Sequence, residues 1–122
     1  MANKKIGYAR DLPDKFVCGA TAKIEDTTAT VVIAAPGAGA SLYITDILVT
    51  NSDAEVGTLV SLTDGAAGDT LYAGYVSDVA DGAPSFSVSL QTPLELTANT
   101  ALYAKCGTTS AEVYVSASGF AV

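Results

Sequence analysis

Residues 85–96 read SFSVSLQTPLEL, and this stretch decides the fold class. Phe86, Val88 and Leu90 alternate with three serines, which is the pattern of a strand that buries one face and exposes the other. The same parity continues in the leucines that follow Pro93. Because proline removes a backbone donor, we expect strand pairing to end at Thr92–Pro93.

The rest of the chain repeats this pattern of short strands and turns, with almost no helical periodicity. Between residues 41 and 51 the apolar parity changes, which predicts a β-bulge near Thr45–Asp46. The pair Asp64–Gly65 is a turn signal after an alternating run. Further strands are expected at residues 16–24, 29–35, 56–62, 70–76, 101–106 and 113–120.

About eight short strands without intervening helices predict an all-β domain. Parallel strands need crossovers of a dozen or more residues, so the pairing should be antiparallel. A two-sheet sandwich of the jelly-roll type fits best over residues 16–122, with residues 1–15 as an extended N-terminal arm. An immunoglobulin-like sandwich is the alternative, but the chain has no Trp and no matching Cys and Trp spacing.

Charge is scarce and unevenly placed. Only 16% of the 122 residues are charged and 49% are hydrophobic, which suggests that a partner covers part of the surface. Residues 1–15 contain four bases and two acids, whereas residues 16–122 contain two bases and eleven acids. Because residues 16–122 are strongly acidic, they repel the phosphate groups of nucleic acids, and we expect no nucleic-acid partner. There is no secretory signal and no apolar run of about 20 residues, so we expect no membrane partner.

The residue types favour binding over catalysis. The chain has no His, which excludes Ser-His-Asp and Cys-His mechanisms and His-based zinc sites. Cys18 and Cys106 alone cannot complete a tetrahedral zinc site; we expect buried thiols, with a disulfide between them as the alternative. We therefore expect no enzyme activity, no cofactor and no metal.

Two binding alternatives remain open at this stage. Asp64, Asp69, Asp78 and Asp81 would be able to ligate calcium if their two loops lay at the same end of the sandwich, although loop acids are usually turn formers. The six tyrosines would be able to form a sugar-stacking platform.

Three stretches resemble small virion structural proteins of tailed bacteriophages, in particular head decoration or cement proteins. They are Ser41–Asn51 (SLYITDILVTN), Phe86–Leu102 (FSVSLQTPLELTANTAL) and Val113–Phe120 (VYVSASGF). The resemblance implies a jelly-roll-like domain that is made in the host cytoplasm and becomes part of the virion. It implies binding to the outer surface of a capsid, through the major capsid protein or other virion subunits, as a dimer or trimer. The family has no catalytic residues to transfer.

The charge asymmetry suggests where such a partner binds. We expect Lys4, Lys5, Arg10 and Lys15 to contact an acidic capsid surface, and Phe16 to be the anchor where the arm joins the body. A solvated terminus is the alternative for this segment. For the whole chain, the alternative function is a phage tail or fibre component, or a glycan-binding β-sandwich module.

Overall fold

The computed structural model describes residues 15–122, which form eight strands in two four-stranded antiparallel sheets. This part of the chain contains no helix with the length and apolar character needed to cross a membrane. The strands are β1 (Lys15–Ala20), β2 (Thr30–Ile33), β3 (Leu42–Asn51), β4 (Thr58–Asp64), β5 (Thr70–Val76), β6 (Ser85–Glu95), β7 (Leu102–Cys106) and β8 (Val113–Ala121).

The strand order is that of a jelly roll. Sheet A has the order β1-β8-β3-β6, and sheet B has the order β2-β7-β4-β5. The first strand therefore pairs with the last, the second with the seventh, the third with the sixth and the fourth with the fifth, as in a long double ribbon rolled into two layers. The predicted all-β, two-sheet sandwich is confirmed, and the immunoglobulin-like order is not the one observed.

The core lies between the two sheets and follows the predicted alternation. In β8, Val113, Val115 and Ala117 are buried, whereas the residues between them point outwards. Strand β8 pairs with β1 on one side and with β3 on the other, so it is a central strand of sheet A. A strand in that position contributes its whole inner face to the core.

The predicted bulge is present in β3. Ile44 lies opposite Gly119 of β8, but Asp46 lies opposite Ser118, so Thr45 is an extra residue in the ladder. The extra residue lets apolar side chains of both parities in β3 face the core. A side chain on Gly119 would lie 1.9 Å from the Tyr43 carbonyl oxygen, so this close approach requires glycine.

Pro93 does not end β6, and this prediction was wrong. Pairing with β3 stops after Ser89 and resumes at Leu94, which lies opposite Ile44. Because β6 is an edge strand and the ladder is already irregular beside Thr45, the missing proline donor has little effect. Strand β1 is shorter than expected, since it ends at Ala20.

The connections divide between the two ends of the sandwich. Loops 34–41, 65–69 and 96–101 lie at one end. Loops 21–29, 52–57, 77–84 and 107–112 lie at the other, which we call the four-loop end. The four-loop end carries seven of the eleven acidic residues of the described part and one lysine, Lys23. The acids are Glu25, Asp26, Asp53, Glu55, Asp78, Asp81 and Glu112.

The amide of Asn51 holds the four-loop end together. Its Nδ2 donates to the carbonyl oxygens of Val56 and Ser77 at 2.8 and 3.0 Å. Its Oδ1 accepts from the backbone N–H groups of Asp53 and Glu112 at 3.1 and 3.0 Å. The side chain is 3% exposed, so one buried residue ties three loops with its full hydrogen-bonding capacity.

Candidate assembly surface

The outer face of sheet A is broad and has few charged side chains. We call it the outer A face, and it consists of the side chains that alternate with the core-facing residues of four strands. Its members are Phe16, Cys18 and Ala20 of β1, Tyr114, Ser116, Ser118 and Phe120 of β8, Tyr43, Asp46, Leu48 and Thr50 of β3, and Ser85, Ser87, Ser89 and Glu95 of β6.

Three aromatic side chains lie together at one end of the outer A face, and Tyr114 lies at the other end. Phe16 lies opposite Phe120, which lies opposite Tyr43 on the next strand. The rings of Tyr43 and Phe120 stack with centroids 5.2 Å apart and an interplanar angle of 7°. Phe16 is 77% exposed, so a large apolar side chain projects beside the stacked pair. Such an exposed aromatic cluster is typical of a contact with another protein.

Tyr43 is also fixed by a polar contact. Its hydroxyl donates to Oε2 of Glu95 at 3.1 Å. This hydrogen bond, with smaller effects of burial and of the Glu95 charge, raises the pKa of Tyr43 above its ordinary value. The ring is therefore held by its neighbour Phe120 on one side and by a carboxylate at its tip.

Small side chains form a shallow open trough beside the aromatic end. It encloses about 640 Å³ and is lined mainly by serine, alanine and glycine. Two rows of the sheet form it: Cys18, Ser118, Asp46 and Ser89, then Ala20, Ser116, Leu48 and Ser87. Leu48 is 45% exposed within it. A partner is thus able to approach the sheet closely and to cover an apolar side chain.

The trough carries a single carboxylate, that of Asp46. The Thr45 hydroxyl donates to Asp46 Oδ2 at 2.8 Å. Within residues 15–122 the salt bridges involve only Lys23 at the four-loop end, with Glu25 at 3.5 Å and Glu112 at 3.9 Å. The outer A face carries two carboxylates, those of Asp46 and Glu95, against seven at the four-loop end, so other subunits of an acidic protein meet less charge repulsion at this face.

Two of the five predicted partner-binding residues lie in the described part. Phe16 belongs to the aromatic end, and Lys15 is the exposed first residue of β1, opposite Ala121. Lys4, Lys5 and Arg10 fall outside the described residues. Partner binding by all five remains a prediction.

The strand pairing of sheet A brings two further residues into the aromatic cluster that the sequence alone did not indicate. Tyr43 and Phe120 join Phe16 only because the first, last and third strands are adjacent. Phe120 has the same outward parity as Ser116 and Ser118, which was the one available signal.

The calcium alternative is wrong, because it required the two loops with the four aspartates to lie at the same end of the sandwich. Asp64 and Asp69 flank the β4–β5 connection, whereas Asp78 and Asp81 belong to the four-loop end. The seven residues of β5 separate the two pairs, which is about 20 Å of extended chain. In the described range, His, Cys, Asp and Glu side chains form no group of three or more that would hold a metal ion.

Two of these carboxylates instead accept hydrogen bonds from loop residues. Asp64 accepts hydrogen bonds from the backbone N–H and the hydroxyl of Thr97. Asp78 Oδ1 accepts from the backbone N–H of Asp81 at 2.6 Å. The Asp78 contact is the one expected of a turn-forming acid, whereas the Asp64 contact joins the end of β4 to the β6–β7 connection.

The two thiols are free and lie in different environments. Cys106 is buried in the core, and its burial, together with the charge of Asp26, raises the pKa of Cys106 to about 11. It therefore remains protonated and unreactive at neutral pH. Cys18 is exposed on the outer A face, so the expectation of buried thiols is wrong for Cys18 and the disulfide alternative is wrong for both.

The five tyrosines of residues 15–122 do not form one platform. Those of the described part are spread over both outer faces and one long side of the sandwich: Tyr43 and Tyr114 on sheet A, Tyr75 and Tyr103 on sheet B, and Tyr72 between β5 and β6. A sugar would meet them one at a time, which does not favour the glycan-binding alternative.

No protein-family model matches the chain, and no curated protein matches it. Two solved viral structures contain chains that are similar in fold. A chain of the cyanophage Pam1 capsid asymmetric unit is 18% identical with a TM-score of 0.49, and the match covers 98% of this chain and 93% of that one. The coat protein of tobacco streak virus is 11% identical with a TM-score of 0.37, and the match covers 93% of this chain and 91% of that one. At these identities and TM-scores, the two matches describe a likeness of fold alone.

Proposed function

We propose that this chain is a virion structural protein, and specifically a decoration or cement protein that binds the outer surface of a phage head and stabilises the shell. The observation that carries the proposal is the outer A face. It is broad, has only two charged side chains and carries a cluster of three aromatic side chains, in a chain whose formal net charge is −7. A surface of this kind is suited to permanent contact with other subunits, since apolar and aromatic groups dominate the centres of protein interfaces.

The sequence resemblance to phage virion proteins falls on this same sheet. The three similar stretches, residues 41–51, 86–102 and 113–120, contain most of β3, β6 and β8. These are three of the four strands of sheet A. The resemblance and the outer A face therefore support the proposal through the same residues.

Phe16 is the proposed anchor of the contact. Its exposed ring would enter an apolar pocket on the major capsid protein or another virion subunit, with the Tyr43–Phe120 stack behind it. An aromatic side chain fixed on a strand loses little conformational entropy on binding. Many equivalent weak contacts over a shell then add up to a stable attachment.

The N-terminal bases would add an electrostatic contact. Lys15 lies beside Phe16 at the start of β1, and Lys4, Lys5 and Arg10 precede it along the chain. We propose that they lie against acidic groups of the capsid. Exposed ion pairs are weakened by salt, so this contribution should fall as ionic strength rises, whereas the Phe16 contribution should not.

The proposal is tested by binding the purified protein to heads of the virus whose genome encodes it, followed by sedimentation and by imaging of the particle surface. Phe16→Ala should reduce occupancy about tenfold, an effect of about 1.4 kcal/mol. Tyr75→Ala is the matched control, because Tyr75 is 64% exposed on the outer face of sheet B. Unchanged occupancy of the Phe16→Ala variant would remove the anchor, and protein density absent from the head would refute the decoration role.

The alternative, a tail or fibre component or a glycan-binding module, gives a different result in the same samples. It predicts density on the tail, or a saturable change of tyrosine fluorescence on addition of sugar, without binding to heads.

A further inference from the structure

Strand β6 forms an exposed edge of sheet A. It pairs with β3 on one side, and within residues 15–122 it has no strand partner on the other. Ten consecutive residues, from Ser85 to Leu94, carry no charge. Natural edge strands are usually protected by charges, prolines or bulges. In β6 these features appear only after Leu90, at the irregular segment that contains Pro93.

The first backbone hydrogen bond between β6 and β3 shows which residues of β6 direct their N–H and C=O groups towards β3. The N–H of Asn51 donates to the carbonyl oxygen of Pro84 at 2.7 Å, which makes this a hydrogen-bonded pair. Hydrogen-bonded and non-hydrogen-bonded pairs alternate along an antiparallel ladder. Phe86 and Val88, two and four residues further on, are therefore the residues that bond to β3.

The backbone groups of Ser85, Ser87 and Ser89 consequently point away from β3. Each of these serines directs an N–H and a C=O to the open edge, and all three are exposed. Another extended strand is the group that satisfies such a row of donors and acceptors.

The apolar side chains on this side of the sandwich are only partly covered. Most hydrophobic residues that pack against the core without being fully buried belong to β5 and β6: Leu71, Tyr72, Phe86, Val88, Leu90 and Leu94. The opposite long side is closed, because Gly19 of β1 lies so near β2 that a Cβ there would be 2.0 Å from the Val32 carbonyl oxygen. The open side therefore has both unpaired backbone and apolar surface to bury.

We propose that two copies of this chain dimerise by antiparallel pairing of their β6 strands about a two-fold axis at Ser87. In this register Ser87 lies opposite Ser87 of the second copy, and Ser85 lies opposite Ser89 of the second copy. The three serines of each chain form six backbone hydrogen bonds, and sheet A becomes a continuous sheet of eight strands. On the inner side, Phe86 lies opposite Val88 of the second copy.

Charge favours a second copy as the occupant of this edge. The acidic four-loop ends of two copies repel each other, so copies with a net charge of −7 should meet where acids are absent. β6 offers such a region, and its pattern of serine and apolar residues is self-complementary under two-fold symmetry. The irregular segment after Leu90 lies outside the part of β6 that forms the six hydrogen bonds. This pairing does not depend on the proposed function, because the dimer should form in the purified protein.

The oligomeric state of the full chain, measured by sedimentation equilibrium, tests the interface. We expect a dimer, and we expect Ser87→Lys to weaken it at least tenfold because two ammonium groups would lie opposite each other. Ala73→Lys is the matched control, since Ala73 is an exposed residue of β5, the edge strand of sheet B. A monomeric wild type, a trimer, or equal effects of the two lysines would overturn the proposal.

Cysteine cross-linking tests the register and does not depend on the lysine variant folding well. In a Cys18→Ser background, Ser87→Cys should form an intermolecular disulfide with a mild oxidant, because opposed residues of this type have Cα atoms about 5.5 Å apart. Ser85→Cys should not, because it faces Ser89 of the second copy. If Ser85→Cys cross-links as well as Ser87→Cys, or if neither does, this pairing is wrong.

Discussion

The outer A face and the four-loop end are two surfaces of one small sandwich with opposite character. The face is built from strands, has small and aromatic side chains, and carries two carboxylates, Asp46 in its trough and Glu95 beside Tyr43. The end is built from loops, carries seven acids and one lysine, and is held by the buried amide of Asn51. The difference suggests that charge keeps the loops in solvent and leaves the sheet as the surface for association.

Loss of Asn51 should give the largest effect on stability. Asn51→Ala removes four hydrogen bonds and leaves buried backbone groups of three loops without partners. We expect the free energy of unfolding to fall by about 3 kcal/mol, measured by urea denaturation. Particle occupancy by the folded fraction should not change, because the outer A face is unaffected. A loss below about 1 kcal/mol would show that the loops do not depend on this amide.

Filling the trough should have the largest effect on binding. Ser116→Tyr places a large ring on the floor of the outer A face and should reduce occupancy of heads at least about tenfold, which is 1.4 kcal/mol. Ser61→Tyr is the matched control, because Ser61 is also half-buried on a central strand, but of sheet B. Equal losses in the two variants would mean that the two outer faces do not differ in function.

A smaller effect is expected at alkaline pH, at the aromatic end of the outer A face. The pKa of Tyr43 is raised in the folded state, so its contribution to stability is complete below its ordinary pKa of 10.0 and is lost as pH rises through the folded value. Glu95→Gln removes the charge and alters the hydrogen-bond acceptor, and should lower that pKa. Absorbance titration of the phenolate should show one tyrosine shifted to lower pH in the variant. An unchanged titration would contradict the Tyr43–Glu95 contact.

The strands and the bulge were predictable because they depend on local alternation. The change of parity within residues 41–51 is sufficient to place an extra residue near Thr45, since a strand buries only one parity without a bulge. The continuation of β6 beyond Pro93 was not predicted, because it depends on the edge position of the strand. The alternation of apolar residues predicts which face of a strand packs on the core, but it does not predict which strand lies next to it in the sheet.

The surface residues were predicted less well for the same reason. Phe16 was chosen from its place beside the basic segment, but its neighbours Tyr43 and Phe120 follow from strand pairs that are far apart in sequence. Asn51 ends an apolar run in the sequence, and only the packing of three loops around it shows its role. The positions of Asp64 and Asp78 at opposite ends follow from the single strand β5 between them, which was already visible in the sequence.

Protection of Cys18 tests most directly whether the outer A face is the surface that meets the capsid. Cys18 is exposed in the trough, Cys106 is buried as an internal reference, and Cys18 lies on the strand farthest from β6, so pairing of β6 edges leaves it open. Alkylation should modify Cys18 rapidly in the free protein and at least about tenfold more slowly on the particle, because access controls thiol reactivity. Equal rates in the free and particle-bound protein would contradict the account.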